Sequence, residues 1–426
     1  VNSIPRTART GVSLLPAVTT VWVAAVVATA YTYDFAAGPT RLLAPIGFGL
    51  VLLVPRDRLG HVVVPVAGVA YLAWYVVSSS FAGDPGAWSS RAGLELPLTV
   101  SLVAVAGVAP LESIRRGVLA GVEIVYAYVL VQAATGFPTP VDAPRDVPLP
   151  GDVLRWHGPF YEKNGLGGFV IVGLSALLTL ARPGWRRRAG VAASAVLLVG
   201  SRSTTAIVGC AVALGLAGVL AAWDRFRDPR SRPLFAVATG IGLTVAGYLS
   251  VVLLPALTAV FGKDPTLTGR TDIWAAAFDA WIEAPITGLG VGFWASPTDP
   301  LLGLALHRIG YAAGHAHNGL LNVAVELGLV GVVLVAILLA WVARTAWRAL
   351  PVATGMARFG IVYLATLAVS SLSEAVFQGV HLAMVLALGT ALAGAVRAGA
   401  DRSRHTGAVL VGPPSTPARP SLETTA

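Results

Sequence analysis

Apolar runs about 17–25 residues long recur from one end of this chain to the other, and each can span a bilayer as a helix. In lipid every backbone polar group must find its partner within the protein, which leaves helices or closed barrels as spanning structures. A barrel would show short segments of alternating polarity, and these runs are continuously apolar. Composition agrees: 55% of the 426 residues are hydrophobic and 12% are charged, about half the charge of a soluble domain. The sequence therefore predicts an all-α polytopic membrane protein.

About twelve membrane segments can be drawn, near 12–32, 41–55, 60–80, 92–110, 117–136, 165–181, 189–200, 204–222, 234–255, 318–343, 356–373 and 379–396. The second and seventh are short enough to be tilted, broken or matched to thinned bilayer. The first is as long as a transmembrane helix, unlike the shorter core of a cleavable signal peptide. Arginines test the count. Arg6 and Arg9 precede the first segment. Arg56 and Arg58 follow the second, Arg115 and Arg116 the fourth, and Arg182 and Arg186 to Arg188 the sixth. Arg225, Arg227, Arg230 and Arg232 follow the eighth, Arg344, Arg348 and Arg358 the tenth, and Arg397, Arg402 and Arg404 the twelfth. All fall on one side, which the positive-inside rule makes cytoplasmic, together with both termini. The same rule accounts for the net charge of +9 without a nucleic-acid partner, since no basic patch interleaved with aromatics appears. The single cysteine, Cys210, lies within an apolar run and can form no internal disulfide.

Residues 1–398 then form one transmembrane domain with large outer loops at 137–164 and 256–317, and 399–426, rich in Pro, Ser and Thr, form a disordered cytoplasmic tail. Within the second loop, Thr271 to Ala284 has the pattern of an amphipathic helix lying at the interface. Asp272 would be its N-cap, and Ile273, Trp274, Ala277, Phe278 and Trp281 its apolar face.

Ionisable groups beside the membrane are candidates for chemistry. Arg202, in Gly200-Ser201-Arg202-Ser203-Thr204, falls at the outer end of a segment. Taken alone it is an arginine snorkelling from a helix end. As a functional group it is a forked donor matched to phosphate, with the Ser201 and Ser203 hydroxyls beside it. Arg270 stands at the start of the amphipathic helix, where the N-terminal dipole also favours anions. Two arginines on one face suit a diphosphate better than a single carboxylate. His317, at the start of the tenth segment, is either an interfacial histidine or a general base for a hydroxyl nucleophile. His315 is its neighbour and competitor. Spacing of i and i+2 does not share a helix face, and no further ligand stands nearby in sequence, so no metal site is expected. Arg155, Tyr161, Lys163 and Asn164 in the first long loop are solvated loop polarity or the lining of a sugar site. Asn318 and Glu374 are further polar groups near outer helix ends, and the roles of Glu326, Glu374 and His381 stay open. Gly288-Leu289-Gly290-Val291-Gly292 lacks the lysine and the strand–turn–helix setting of a nucleotide loop.

Three pieces carry a family resemblance: Ser201-Arg202 after a short segment, Gly269-Arg270…Trp274…Pro285…Gly288-Leu289-Gly290 in the large loop, and His317-Asn318…Leu321…Glu326-Leu327-Gly328-Leu329-Val330-Gly331 leading into a helix. In order and spacing the chain resembles the O-antigen ligase and Wzy-type polymerase superfamily, over roughly a third of its length. The first five segments carry no matching motif. The resemblance implies a GT-C-like O-antigen ligase/polymerase fold in the bacterial cytoplasmic membrane, with the active site on its outer face. It implies an undecaprenyl-diphosphate-linked oligosaccharide donor and a sugar hydroxyl acceptor among membrane lipids, with export or chain-length proteins as partners. Arg202 and Arg270 would bind the diphosphate and His317 would activate the acceptor, without cofactor, nucleotide or metal. Polymerase and ligase differ only in the acceptor. A transporter or flippase would instead place ionisable groups along a path through the membrane midplane, and a non-catalytic scaffold would leave the arginine–histidine set unexplained.

Overall fold

The computed structural model describes residues 15–29, 40–54, 62–135, 156–160, 163–223, 270–296, 299–309 and 314–410. Every regular element among the described residues is helical. In chain order these are α1 (Leu15–Thr29), α2 (Thr40–Leu52), α3 (Val66–Val77), α4 (Pro85–Val108), α5 (Leu111–Thr135), α6 (Lys163–Thr179), α7 (Trp185–Ser201) and α8 (Thr204–Trp223). They continue as α9 (Arg270–Glu283), α10 (Pro300–Ile309), α11 (Gly319–Ala349), α12 (Thr354–Ser370) and α13 (Gly379–Leu410). Short 3₁₀ turns lie at Ser78–Ser80 and Phe293–Ala295.

Five of the described helices are long and apolar enough to cross a membrane: α4, α5, α8, α11 and the Gly379–Arg402 part of α13. Five shorter apolar helices of 10–17 residues accompany them. At about 1.5 Å per residue these fall short of the roughly 30 Å of a hydrocarbon core. Eleven of the expected segments coincide with a described helix, and the ninth, 234–255, lies outside the described residues. The last helix runs on to Leu410, past the Gly399 boundary drawn for a disordered tail. Gly399 is part of a packed helix, where a Cβ would stand 2.9 Å from Val352.

Helix starts follow local rules. Pro85 opens α4, where its missing N–H is no loss, and Asp84 Oδ1 accepts from the N–H groups of Gly86 (2.8 Å) and Ala87 (3.0 Å). Gly117 and Gly121 let α5 approach α1 until a Cβ on either would stand 2.8 Å from a backbone carbonyl, that of Thr20 or Ala24. This is the small-xxx-small contact of membrane helices. At the arginine-rich end, Arg115 donates to the Leu180 carbonyl at 2.9 Å and Arg186 pairs with Glu123 at 2.6 Å. The groups at 115–116 and 182–188 thus share one end of the bundle, as their charge suggests.

A second, smaller core lies apart from the main one. Ile273, Ala277 and Ala280 of α9 pack with Phe293, Trp294, Leu302, Ala316 and Val325. The sequence placed Ile273, Trp274, Ala277, Phe278 and Trp281 on the packed face, and Ile273 and Ala277 lie at its centre. In the structure Ile273, Ala276, Ala277 and Ala280 are buried, while Phe278 is half exposed. Small alanines let α9 seat closely, with Trp281 packed at the edge of this core, Trp274 half-buried and Phe278 turned outward. Asp272 lies inside the first turn rather than at the cap, since the helix already begins at Arg270.

The long helix α11 is broken at Gly328, whose φ of 64° and ψ of −168° are open to glycine alone. The Pro285–Gly290 segment inserts its backbone at the break. Leu289 N–H donates to Val325 O (2.8 Å) and Gly290 N–H to Glu326 O (3.0 Å), while Leu329 N–H donates to Pro285 O (2.9 Å) and Val330 N–H to Ile286 O (3.3 Å). The carbonyl of Leu327 accepts from the Trp74 indole at 2.9 Å. Three carbonyls and two N–H groups beside the break are met in this way, as a low-dielectric setting demands. A Cβ at Gly288 would lie 2.5 Å from the Leu327 nitrogen. This close backbone approach explains the Gly288-Leu289-Gly290 spacing that superficially resembles a nucleotide loop.

Candidate active site

The small core and the break in α11 fix a turn, residues 314–318, over the start of α11. His317 sits in it at φ 47°, a left-handed conformation uncommon for a residue other than glycine. Hydrogen bonds hold it on both sides. Ala316 N–H donates to Asn322 Oδ1 (2.9 Å), the Trp274 indole donates to the His317 carbonyl (3.3 Å), and Gly319 N–H donates to the Ser371 carbonyl (2.7 Å). Asn318 is the N-cap of α11, its Oδ1 accepting from Leu321 N–H at 3.0 Å. That role uses the side chain the sequence offered as a substrate contact.

Glu374 lies in the loop between α12 and α13 and joins the two principal candidates. Its Oε1 accepts from Arg270 Nη2 at 2.9 Å, and its Oε2 lies 3.5 Å from His317 Nδ1. The second distance is long for a hydrogen bond but short for a charge contact. The side chains of Arg270, Glu374 and His317 keep 16%, 14% and 19% of their exposure, so the cluster is partly sheltered yet open to a ligand. Burial opposes ionisation of Glu374, but His317 and the charge of Arg270 outweigh it and hold the carboxyl below its ordinary range.

The His315 ring lies 4.0 Å from that of His317, and its Nδ1 accepts the His317 backbone N–H at 3.1 Å. Nδ1 is thus the unprotonated nitrogen of a neutral ring. Burial, reinforced by His317, pushes His315 down to about 4. His315, His317 and Glu374 also bring three potential ligand atoms within 4.8 Å of one another, a grouping that sequence spacing did not anticipate because Glu374 comes from another element. The donor chemistry would suit a divalent ion, but the Arg270 guanidinium already stands on Glu374 and opposes a second cation there.

Arg202 comes from a separate pair of helices, α7 and α8. It is the exposed C-cap of α7, left-handed at φ 49°, and α7 runs about 25 Å from the arginine-rich end to this residue. Trp156 N–H bonds to the Gly200 carbonyl at 3.0 Å beside it. Thr205, one turn on, shares a 2.7 Å hydroxyl contact with Ser373, the neighbour of Glu374. The Arg202 turn is thereby tied to the Glu374 loop. Ser201 and Ser203 take no part in an anion site of the expected kind, since both are fully buried. Ser201 bonds back to the Leu198 carbonyl (3.0 Å), and Ser203 donates to Asn164 Oδ1 (2.9 Å). Asn164 is held in that contact, and Lys163 opens α6. Arg155 and Tyr161 lie outside the described residues. Of the other groups left open, His381 meets the Tyr363 hydroxyl at 3.4 Å.

The arrangement is an anion-attracting face with a basic nitrogen beside it. The class it defines is a protein whose described residues are helical, with five helices long and apolar enough to cross a membrane and a histidine–carboxylate–arginine cluster. The family model described as O-antigen ligase matches residues 189–336, which include Arg202, Arg270, His315 and His317. The chain is also 28% identical, over 331 residues, to the exopolysaccharide production protein ExoQ of Rhizobium meliloti (strain 1021), with 72% of each chain covered. Both matches are similarities to proteins of glycan processing, an O-antigen ligase family and an exopolysaccharide production protein.

Proposed function

We propose that this protein is a glycosyltransferase of the Wzy-like polymerase type, extending a polysaccharide from undecaprenyl-diphosphate-linked glycan at the outer face of the cytoplasmic membrane. The observation that carries the reading is Glu374, whose two oxygens face Arg270 and His317 and hold an anion-binding group next to a base. On this reading residues 1–398 are the catalytic domain, about twelve segments span the membrane, and both termini are cytoplasmic. The Arg202 and Arg270 guanidiniums receive the diphosphate. Glu374 uses one edge of Arg270, and the remaining donors of that side chain can turn to phosphate.

The acceptor hydroxyl attacks the anomeric carbon as its proton passes to His317. With Nδ1 facing Glu374, Nε2 is the nitrogen that receives the proton, and the carboxylate stabilises the imidazolium formed. The bond from the anomeric carbon to the diphosphate oxygen breaks, and its electron pair leaves with the lipid diphosphate, whose charge the arginines stabilise. One in-line displacement inverts the anomeric centre. The lipid diphosphate is already an activated leaving group, so no nucleotide or metal enters.

The name of the Rhizobium relative, an exopolysaccharide production protein, favours the polymerase over transfer of glycan to a lipid or protein. Reconstitution tests both. Purified protein in lipid is given lipid-diphosphate glycan and acceptor, without nucleotide or divalent ion. Released undecaprenyl diphosphate with a lengthened lipid-linked glycan is the expected result. Glycan appearing on a lipid A-like or protein acceptor instead would make the chain a ligase, and no release under any acceptor would refute the transferase.

A further inference from the structure

Arg91 of α4 enters the bundle from a part of the chain with no recognisable motif, yet it begins a continuous line of hydrogen bonds that ends at the His317 turn. Its Nη1 donates to Glu326 Oε1 at 2.9 Å, and its Nη2 donates to Gln378 Oε1 at 2.8 Å. Gln378 Nε2 donates to Glu326 Oε2 at 2.6 Å, and Gln378 Oε1 also accepts from Asn322 Nδ2 at 2.7 Å. Asn322 Oδ1 then accepts the N–H of Ala316, the residue before His317. Glu326 is further bonded by Gly292 N–H at 3.3 Å, and Arg91 Nε by Glu95 at 2.9 Å, which the Tyr75 hydroxyl meets at 2.8 Å.

Every direction in this line is determined. Turning the Gln378 amide over would set its NH₂ against the donors of Arg91 and Asn322, and turning Asn322 would set its NH₂ against the Ala316 N–H. The fork of Arg91 therefore dictates the orientation of two amides and, through them, the place of one backbone N–H. Asn322, Glu326 and Gln378 are 1%, 0% and 6% exposed, while the Arg91 side chain keeps 29%, so solvent reaches only the arginine end of the line. Burying the Glu326 carboxylate among apolar helices, beside a half-buried guanidinium, is a costly way to achieve stability alone, because packed apolar residues commonly do as well. What the line offers is a fixed position for a residue that needs one. His317 holds a left-handed φ, and such strain persists only where its surroundings over-determine it.

We propose that Arg91, Glu326, Gln378 and Asn322 are positioning residues that hold the His317 turn in register with the acceptor, acting through hydrogen bonds rather than by touching substrate. The proposal rests on the reading of His317 as the base. Guanidinium and amide groups do not relay protons at neutral pH, so the line sets geometry rather than conducting charge.

The test uses the full chain reconstituted in lipid with lipid-diphosphate glycan and acceptor, comparing Asn322→Leu, Arg91→Lys and His317→Ala with the parent. Asn322→Leu removes both bonds at similar volume. Arg91→Lys retains the charge opposite Glu326 but loses the fork, and it decides the matter should Asn322→Leu not fold. The expected result in both is a kcat lower by about 10²-fold, the scale of a misplacement near 1 Å. KM for the donor should stay within about twofold, because the diphosphate clamp is untouched. Unchanged kcat in the folded variants, with His317→Ala inactive, would overturn the positioning role alone, as would a loss carried by KM with kcat retained. An active His317→Ala protein would overturn the base reading and the positioning role with it.

Discussion

Replacing Gly328 by alanine should destabilise the protein far more than any ordinary helical glycine replacement. At φ 64° and ψ −168° the backbone is in a region closed to side chains, at a cost of about 1–3 kcal/mol. The new Cβ would also fall on the Ile286 carbonyl and stand 2.5 Å from the Gly288 nitrogen, both backbone atoms of the inserted segment. That segment cannot withdraw without loosening the bonds Leu329–Pro285 (2.9 Å) and Val330–Ile286 (3.3 Å), each worth about 0.5–1.5 kcal/mol. The expected penalty is about 3 kcal/mol or more. Gly218 of α8 is the control, because nothing lies within 4 Å of a Cβ there. Gly218→Ala should be neutral or stabilising by up to about 1 kcal/mol, the gain in helix propensity. The assay is thermal unfolding in detergent by tryptophan fluorescence, with both variants alongside the parent. Equal midpoints for Gly328→Ala and the parent would refute the broken-helix docking on which the position of the 285–292 segment depends.

Acidification should destabilise the protein in a defined window. The folded state holds His315 down at about 4, while an unfolded histidine titrates near 6.5, so between these values the unfolded chain binds the extra proton and stability falls as pH falls. Glu374, held below its ordinary range, adds a further loss at still lower pH, and His315→Gln should flatten the upper part of the profile measured by unfolding midpoint. Thr205→Val removes the 2.7 Å contact with Ser373 that ties the Arg202 turn to the Glu374 loop, and should raise KM for the lipid-linked donor by about 2–10-fold, the worth of one hydrogen bond. No change on mutation would separate Arg202 from the site. Chelation should leave activity intact, because the Arg270 guanidinium opposes a cation at Glu374. Loss on chelation with recovery on added zinc would assign His315, His317 and Glu374 as metal ligands instead.

The parts of this architecture carried by local pattern were legible in the sequence. Apolar runs gave the helices, and arginine spacing gave the shared end that the Arg115–Leu180 and Arg186–Glu123 contacts now join. Arg270 and His317 could be paired because both stand in the motif pieces that carry the family resemblance, each having an ordinary structural reading when taken alone. What escaped was whatever depends on tertiary approach. Glu374 gave only the signal of a carboxylate near a helix end, and nothing local ties it to His317. Arg91 drew no reading from the sequence: Glu95 one turn on accounts for it as an ordinary helical ion pair, and nothing local points to Glu326 or Gln378. Ser201 and Ser203 looked like donors beside Arg202, yet a left-handed residue turns its own side chain outward while its neighbours point in. On α9 Ile273 and Ala277 were legible as the packed face, but Ala276 and Ala280 were missed and Phe278 was misplaced, because alanines, which permit close approach, carry less apolar weight than an aromatic.

The central claim is that Arg270 and His317 act on one substrate at one site. Its most direct measurement is the turnover of Arg270→Ala and His317→Ala in the reconstituted assay, read as release of undecaprenyl diphosphate. The account predicts that each falls by about 10²-fold or more, the scale of a lost charge-stabilising donor or general base, with the folded protein still present in full. Full activity in both variants would contradict it.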